Sequence, residues 1–278
     1  MNARNTALIA SLVVVAVSLA SMAADTPVAW DMFADGEVQI AIDGSVSDYR
    51  LQSKLPTEVA DLVDRGVRGW HFEPIVIDGK AVVAKTAMHM RLSAEPAGAP
   101  DRYRFKVVDV KFGGPRQHDE THPPFYPQEA VQAKLGAKVM LAVQIDDQGQ
   151  VTQVAPYQTS LDMLARSERQ AEAWRKLFER ASVAAARSWR FDLSETINGK
   201  PIPTVALVPV VFSISNIPGS APKDGQWKAY VPGPVHEIAW FAQFRSAANG
   251  DVSAMRPGDA LSLDSRFHLK DDVVGKTL

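Results

Sequence analysis

His118 and His122 stand four residues apart in His118-Asp119-Glu120-Thr121-His122, the spacing with which zinc hydrolases place two ligands on one face of a helix. The chemistry would be metal-assisted hydrolysis, and it needs both a helix and a third ligand. Gly113-Gly114-Pro115 precedes the pair and Pro123-Pro124 comes after it, and Pro123 drives His122 out of the helical region of backbone space. No third ligand stands out along the chain. The segment therefore reads as a solvated polar loop leading into Tyr126, and no metal ligand is assigned.

Other catalytic signatures are absent from the sequence. There is no Gly-x-Ser-x-Gly, no Walker loop, no Gly-x-Gly-x-x-Gly and no cysteine nucleophile, and Ser220 lies in Pro-Gly-Ser-Ala-Pro without a base nearby. The expectation is a protein that is not an enzyme and uses no cofactor; a metal-dependent envelope enzyme built on His118 and His122 is the distant alternative. With 278 residues, 46% hydrophobic and 22% charged, the chain can bury more than one small core. Its net charge is −2 and its basic residues are dispersed, so nothing recommends nucleic acid as a partner. Having no cysteine, it forms no disulfide and offers no lipoprotein attachment site.

The elements that would position any site are spelled out most clearly from Phe178 to Ile214. Phe178, Ala181, Ala184 and Ala185 recur at helical spacing, Trp189-Arg190-Phe191 comes next, Asn198-Gly199-Lys200-Pro201 makes a turn, and Thr204 to Ile214 is an apolar strand. The same order occurs earlier: Val59, Leu62, Val63 and Gly66, then Trp70-His71-Phe72, the turn Asp78-Gly79-Lys80, and alternation from Val82 to Leu92. Trp70 and Trp189 are 119 positions apart and Gly79 and Gly199 are 120 apart. A hairpin precedes each helix, turning at Asp43-Gly44 in the first case and within Asp146-Asp147-Gln148-Gly149 in the second. This is an internal repeat of hairpin, helix and strand.

The second copy resembles the C-terminal domain of the TonB family. The residues that carry the likeness are Tyr126-Pro127-Gln128-Glu129-Ala130, the Gly-turned hairpin, Ala185-Ala186-Arg187-Ser188-Trp189-Arg190-Phe191, the Asn-Gly-x-Pro turn and the final strand to Phe212. The first copy lacks the Tyr-Pro segment and is degenerate. The resemblance implies an α+β fold of two TonB-C-terminal-like modules, each a small antiparallel sheet with a helix packed on one face. It also implies a periplasmic protein-interaction role in transmembrane transport, in which the last strand's edge takes an extended peptide segment, for example of an outer-membrane TonB-dependent transporter, by β-strand addition. The partner-binding residues carried over are Tyr126, Pro127, Val205, Leu207, Val210 and Phe212. Pro203 and Pro209 agree with an edge position, where a missing N–H is tolerated. An edge of this kind is also open to a homodimer.

These patterns divide the chain into a signal peptide over 1–23, the degenerate module with an extra strand from Tyr103 to Val110 over 24–112, the clear module over 113–216, and an aromatic-rich extension over 217–278. Residues 161–189 carry the longest helical pattern, with extra turns after Tyr157 read as an insertion peculiar to the second module. Arg266-Phe267-His268-Leu269-Lys270 reads as a last strand, and packing is the default role of the extension.

Residues 7–20 form a short apolar run after Arg4, and Ser21-Met22-Ala23 offers small residues where a signal peptidase cleaves. The alternative is a TonB-type energy transducer that keeps residues 7–23 as an inner-membrane anchor. Against it, this sequence has no His before position 71 and no Pro-rich spacer between Ala24 and Gly36. Intact-mass measurement on exported protein is expected to show loss of residues 1–23; Met1 still present in a membrane fraction would restore the transducer reading.

Overall fold

The computed structural model describes residues 30–97, 102–119, 121–214, 230–244, 248, 255 and 260–278. The expected cleavage segment and Ser220 lie outside them. The first half contains strands β1 (Trp30–Ile40) and β2 (Val46–Leu51), helix α1 (Thr57–Arg68), two-residue strands β3 (Val76–Ile77) and β4 (Lys80–Ala81), long strands β5 (Ala84–Pro96) and β6 (Tyr103–Phe112), and the short β7 (Arg116–Gln117). The second half contains helix α2 (Gln128–Gln132), strands β8 (Ala137–Ile145) and β9 (Val151–Leu161), and helix α3 (Glu168–Ala186). After α3 come the short β10 (Phe191–Asp192), β11 (Thr196–Ile197) and β12 (Lys200–Pro201), the long β13 (Thr204–Phe212), and β14 (Leu261–Ser262) in the C-terminal extension. The fold is α+β, with helices and antiparallel sheets.

Both halves pair their strands on one plan. β1 pairs with β2 and with β5, all antiparallel, and β8 pairs with β9 and with β13 in the same way. The register is the same too: Ile40 faces Ala84 at one end of its ladder, and Ile145 faces Thr204 at the equivalent place. Each hairpin turn then touches the aromatic that comes after the helix. Gly44 and Gly149 adopt φ of +88° and +75°. Their carbonyls accept from Phe72 N and Phe191 N, both at 2.8 Å. A Cβ on either glycine would overlap the carbonyl oxygen of that same phenylalanine, so only glycine lets the two backbones meet. Asp78-Gly79 and Asn198-Gly199 both have positive φ at each residue, the geometry that tight hairpin turns with matching twist require.

Periodicity explains the cores. In α1, Val59, Val63 and Val67 face one sheet and are buried, joining Trp70, Phe72, Met88, Met90 and Leu92. In α3, Ala171, Phe178 and Ala186 do the same above Val139, Leu141, Val143, Val208, Val210 and Phe212, and Ser167 caps the helix by accepting from Gln170 N at 3.3 Å. The helical pattern expected over 161–189, with extra turns after Tyr157, becomes a helix only at Glu168: residues up to Leu161 are strand and 162–167 connect the two. The difference between the halves is split between a β9 of 11 residues against a β2 of 6, and an α3 of 19 residues against an α1 of 12. Thr159 and Leu161 turn towards α3 while Tyr157, at a bulge in the pairing with β8, turns to the opposite face, and the ladder with β8 extends to Leu161, so the helix begins only after Ser167.

The halves are knitted together beyond the two sheets. β11, part of the Asn-Gly hairpin of the second half, pairs with Lys85 and Ala84 of β5. The C-terminal extension is divided: Phe241, Ala248 and Leu263 cover the second sheet's face opposite α3, while Phe267, Leu269, Val273 and Leu278 join the first core. Residues 266–270 make one bridge, Leu269 to Phe72, in place of the expected strand. Trp70 is 6% exposed and Trp189 4%. Replacing either with alanine is expected to cost about 3 to 5 kcal/mol in urea unfolding; an unchanged midpoint for one of them would break the correspondence between the two halves at that position.

Candidate functional site

β13 is the strand on which the candidate site depends, and its two edges have different neighbours. β8 runs along one edge for the whole length, from Thr204 opposite Ile145 to Phe212 opposite Ala137. On the other edge Ala206 faces Ser262 and Leu207 faces Leu261, and Leu263 N donates to Val205 O at 2.8 Å. Asp264 Oδ1 accepts from Val205 N at 3.0 Å and from Thr204 Oγ1 at 2.7 Å, so a side chain finishes what the short strand β14 begins. These bonds fix which residues point their backbone groups outward. Val205 does so, and in an antiparallel ladder every second residue does the same, which gives Leu207, Pro209 and Val211.

The extension therefore takes the Thr204–Leu207 half of this edge. Val208–Phe212 has no strand partner on that side among the described residues. Val208, Pro209, Val210 and Phe212 are nevertheless buried, and Val211 alone is exposed; Pro209 brings no N–H, so the outward backbone groups of this stretch are the carbonyls of Pro209 and Val211 and the N–H of Val211.

The residues singled out from sequence separate onto two faces. Val205 and Leu207 point into the core made with Met140, Tyr157 and Phe241, and Val210 and Phe212 point into the core under α3; all four are buried. Their side chains are not displayed to a partner, and the backbone of Val205 and Leu207 is already engaged by the extension. Val211, which apolar pattern does not single out, is 37% exposed. The sequence does carry a signal for it: a proline tolerated at position 209 implies an outward nitrogen there, and hence an outward residue two places on.

Tyr126 and Pro127 serve the same strand from the helix side. The Tyr126 ring meets Phe212 edge-on at 5.4 Å and Phe178 at 6.0 Å, and its hydroxyl donates to Leu135 O at 2.5 Å. Burial, with the charge of Asp162 behind it, pushes the phenol up to about 12, so it stays a neutral donor. Pro127 precedes the first turn of α2. His118 and His122 are not on a helix: His118 Nδ1 lies 3.0 Å from Asp192 Oδ1, and the His122 carbonyl accepts from Trp189 Nε1 at 3.0 Å. No group of three or more metal-ligating side chains comes together among the described residues.

Where the occupied half of the edge meets the first sheet, Glu195 is buried at 5% exposure. Its Oε1 accepts from Ser265 Oγ of the extension at 2.5 Å and from Thr86 Oγ1 of β5 at 3.4 Å. Burial raises its pKa, the Asp264 charge adds to that, and the two hydroxyl bonds oppose it. One carboxyl thus ties both halves and the extension together.

Residues 122–214 match the family model for the Gram-negative bacterial TonB protein C-terminal. The chain carries a TonB C-terminal domain. Two proteins named Protein TonB, from two strains of Xanthomonas campestris pv. campestris, are each 33% identical to it over 94 residues, which is 34% of this chain and 36% of theirs. The chain thus spans about a third of the length of the curated relatives it matches. No solved structure gives a significant match. No helix among the described residues is long and apolar enough to cross a membrane.

The raised Glu195 has a definite sign. A carboxyl that is easier to protonate when folded contributes stability that is fully present below its unfolded value and is lost as pH rises through its higher folded value. Glu195→Gln, which keeps the shape without the charge, is expected to gain stability relative to wild type as pH is raised from about 4 to about 8. A constant difference in urea midpoint across that range would contradict it.

Proposed function

We propose that this chain is a non-enzymatic, exported interaction protein of the periplasm whose TonB C-terminal domain docks an extended peptide segment by β-strand addition during transmembrane transport. An outer-membrane TonB-dependent transporter is the partner class that fits. The reading is supported most directly by the stretch Val208–Phe212, an edge of a β-sheet inside the family match with no partner on its outer side among the described residues. Exposed edges pair readily with incoming strands. Each backbone bond is worth about 0.5 to 1.5 kcal/mol net, so three of them give a weak and reversible grip. Such a grip suits a dock that must release.

In this proposal the first half is a second, degenerate TonB-C-terminal-like module whose docking edge is already filled. Support comes from the shared pairing plan and register. β5 corresponds to β13, and its segment from Met88 to Pro96 begins at the counterpart of Val208 and pairs with β6 along that whole length. Only one of the two edges is then left for a partner.

Titration of an isotope-labelled chain with an extended peptide from a transporter's periplasmic end, monitored by backbone amide NMR, is expected to shift Val208 and Val210–Phe212 with little change near Met88. Shifts centred on β5, or none at millimolar peptide, would overturn this function.

A further inference from the structure

The two halves hold their Trp-x-Phe segments with residues from different parts of the chain. In the second half Phe191 and Asp192 pair with Gln117 and Arg116 of β7, and His118 N donates to Arg190 O at 2.9 Å, so the partner strand comes from the same half. In the first half the same places are filled from the other end of the chain. Leu269 bridges to Phe72, Lys270 N donates to His71 O at 2.9 Å, and Glu73 N donates to His268 O at 2.9 Å. Lys270 thus does for His71 what His118 does for Arg190, and residues 268–270 take the role of 116–118.

The contact continues beyond this bridge. The Asp271 carboxylate accepts from His71 N at 2.7 Å and lies 3.4 Å from its Nδ1. A turn at Gly275, with φ of +81°, then brings the chain alongside β6: Gly275 N donates to Val107 O at 2.7 Å, Val107 N to Lys276 O at 3.0 Å and Leu278 N to Phe105 O at 3.0 Å. Side chains sort by direction along the way. Phe267 and Val273 are buried in the first core and Leu269 and Leu278 half-buried against it, with Leu278 touching Gly66 of α1, while Arg266, His268, Lys270, Asp272 and Lys276 are exposed. Apolar side chains inward, charged ones outward and a backbone bonded to a strand edge are the means by which an extended peptide is held in a groove. The sheet beneath is assembled without this segment, because β1, β2, β5 and β6 pair with one another.

We propose that the first half is a peptide-binding module whose site, made by residues 71–73, the outer edge of β6 and Gly66 of α1, is filled in cis by residues 266–278 of this chain. The site selects an extended segment with apolar residues in the places of Phe267, Leu269, Val273 and Leu278 and a carboxylate in the place of Asp271. The segment is a detachable ligand: it leaves and rebinds while both sheets stay folded. This site lies away from β13, so it stands apart from the docking reading above.

The test uses the full chain. In wild type, amide hydrogen exchange should show Glu73, Val107, Gly275 and Leu278 opening together, at least about tenfold more often than the β1–β5 and β8–β13 ladders. Leu269→Asp should remove the protection of Glu73 and Val107 and leave both ladders as they are. A fluorescent synthetic peptide with the wild-type sequence of residues 266–278 should bind this variant saturably and restore that protection. It should bind wild type at least about tenfold more weakly, because the attached segment competes at a high effective concentration. The same peptide carrying Leu269→Asp should bind neither chain. Exchange of Glu73 and Val107 only together with the ladders would overturn the inference, since the segment would then belong to one cooperative core. That measurement needs no variant and decides the point if Leu269→Asp does not fold. A folded Leu269→Asp chain that takes up no wild-type peptide would overturn the inference as well. Neither result bears on docking at β13, which is read at Val208 and Val210–Phe212.

Discussion

Every strand in a sheet has two edges, and each outward N–H and C=O must be paired, capped or left to water. That requirement at β13 organises most of what is distinctive about this chain. β8 satisfies the inner edge completely. The outer edge is met piecewise by β14, by the Asp264 carboxylate and by Leu263 N, and from Val208 onward by nothing among the described residues. The bonding along this edge comes from a segment more than fifty residues downstream, which explains why the extension belongs to the domain's structure rather than trailing from it.

The two sheets differ in the face turned away from their helices, and this difference explains where the extension goes. On the first sheet that face carries Lys85 with Glu37 at 2.6 Å, His89 with Asp35 at 2.9 Å and Arg91 with Asp31 at 3.5 Å. Such exposed pairs are worth about 0 to 1 kcal/mol each, but they keep the face content in water. The second sheet turns Met140, Ala142, Val205 and Leu207 to the same side, and those side chains need cover. Phe241, beside Tyr157 at 5.4 Å, supplies it together with Ala248 and Leu263. The first sheet instead receives the last residues of the chain at its own needs: Gly275 N donates to Val107 O and Leu278 N to Phe105 O, which pairs the outer side of β6.

How much of the fold is legible in the sequence depends on how local the determining physics is. The hairpins, the Trp-x-Phe anchors and the Asn-Gly and Asp-Gly turns are set by neighbours within a few residues, and all stand where spacing puts them. The end of β9 is hidden because a bulge at Tyr157 interrupts its alternation just before a polar helical pattern starts, and no glycine marks the change. The extension's roles are not legible, because Leu261, Leu269 and Gly275 each act through one or two backbone bonds whose partners lie far away in sequence. Glu195 is likewise invisible: an acid after Leu193-Ser194 looks like any loop residue until Thr86 and Ser265 arrive on either side of it.

The site is half legible for a related reason. Sequence pattern identifies side-chain faces, since those come from alternation of apolar residues, and it duly selects Val205, Leu207, Val210 and Phe212. Strand addition, however, is carried by backbone groups, and their direction alternates along the strand independently of which residues are apolar. In a strand buried on both faces, as β13 is, hydrophobicity carries no information on which residues face the edge. Proline does, because it can occupy only a position whose nitrogen is not needed by the neighbouring strand. Pro209 is thus the residue through which this sequence encodes the polarity of its own edge, and it places Val211, rather than any of the buried apolar residues, with its backbone groups turned outward.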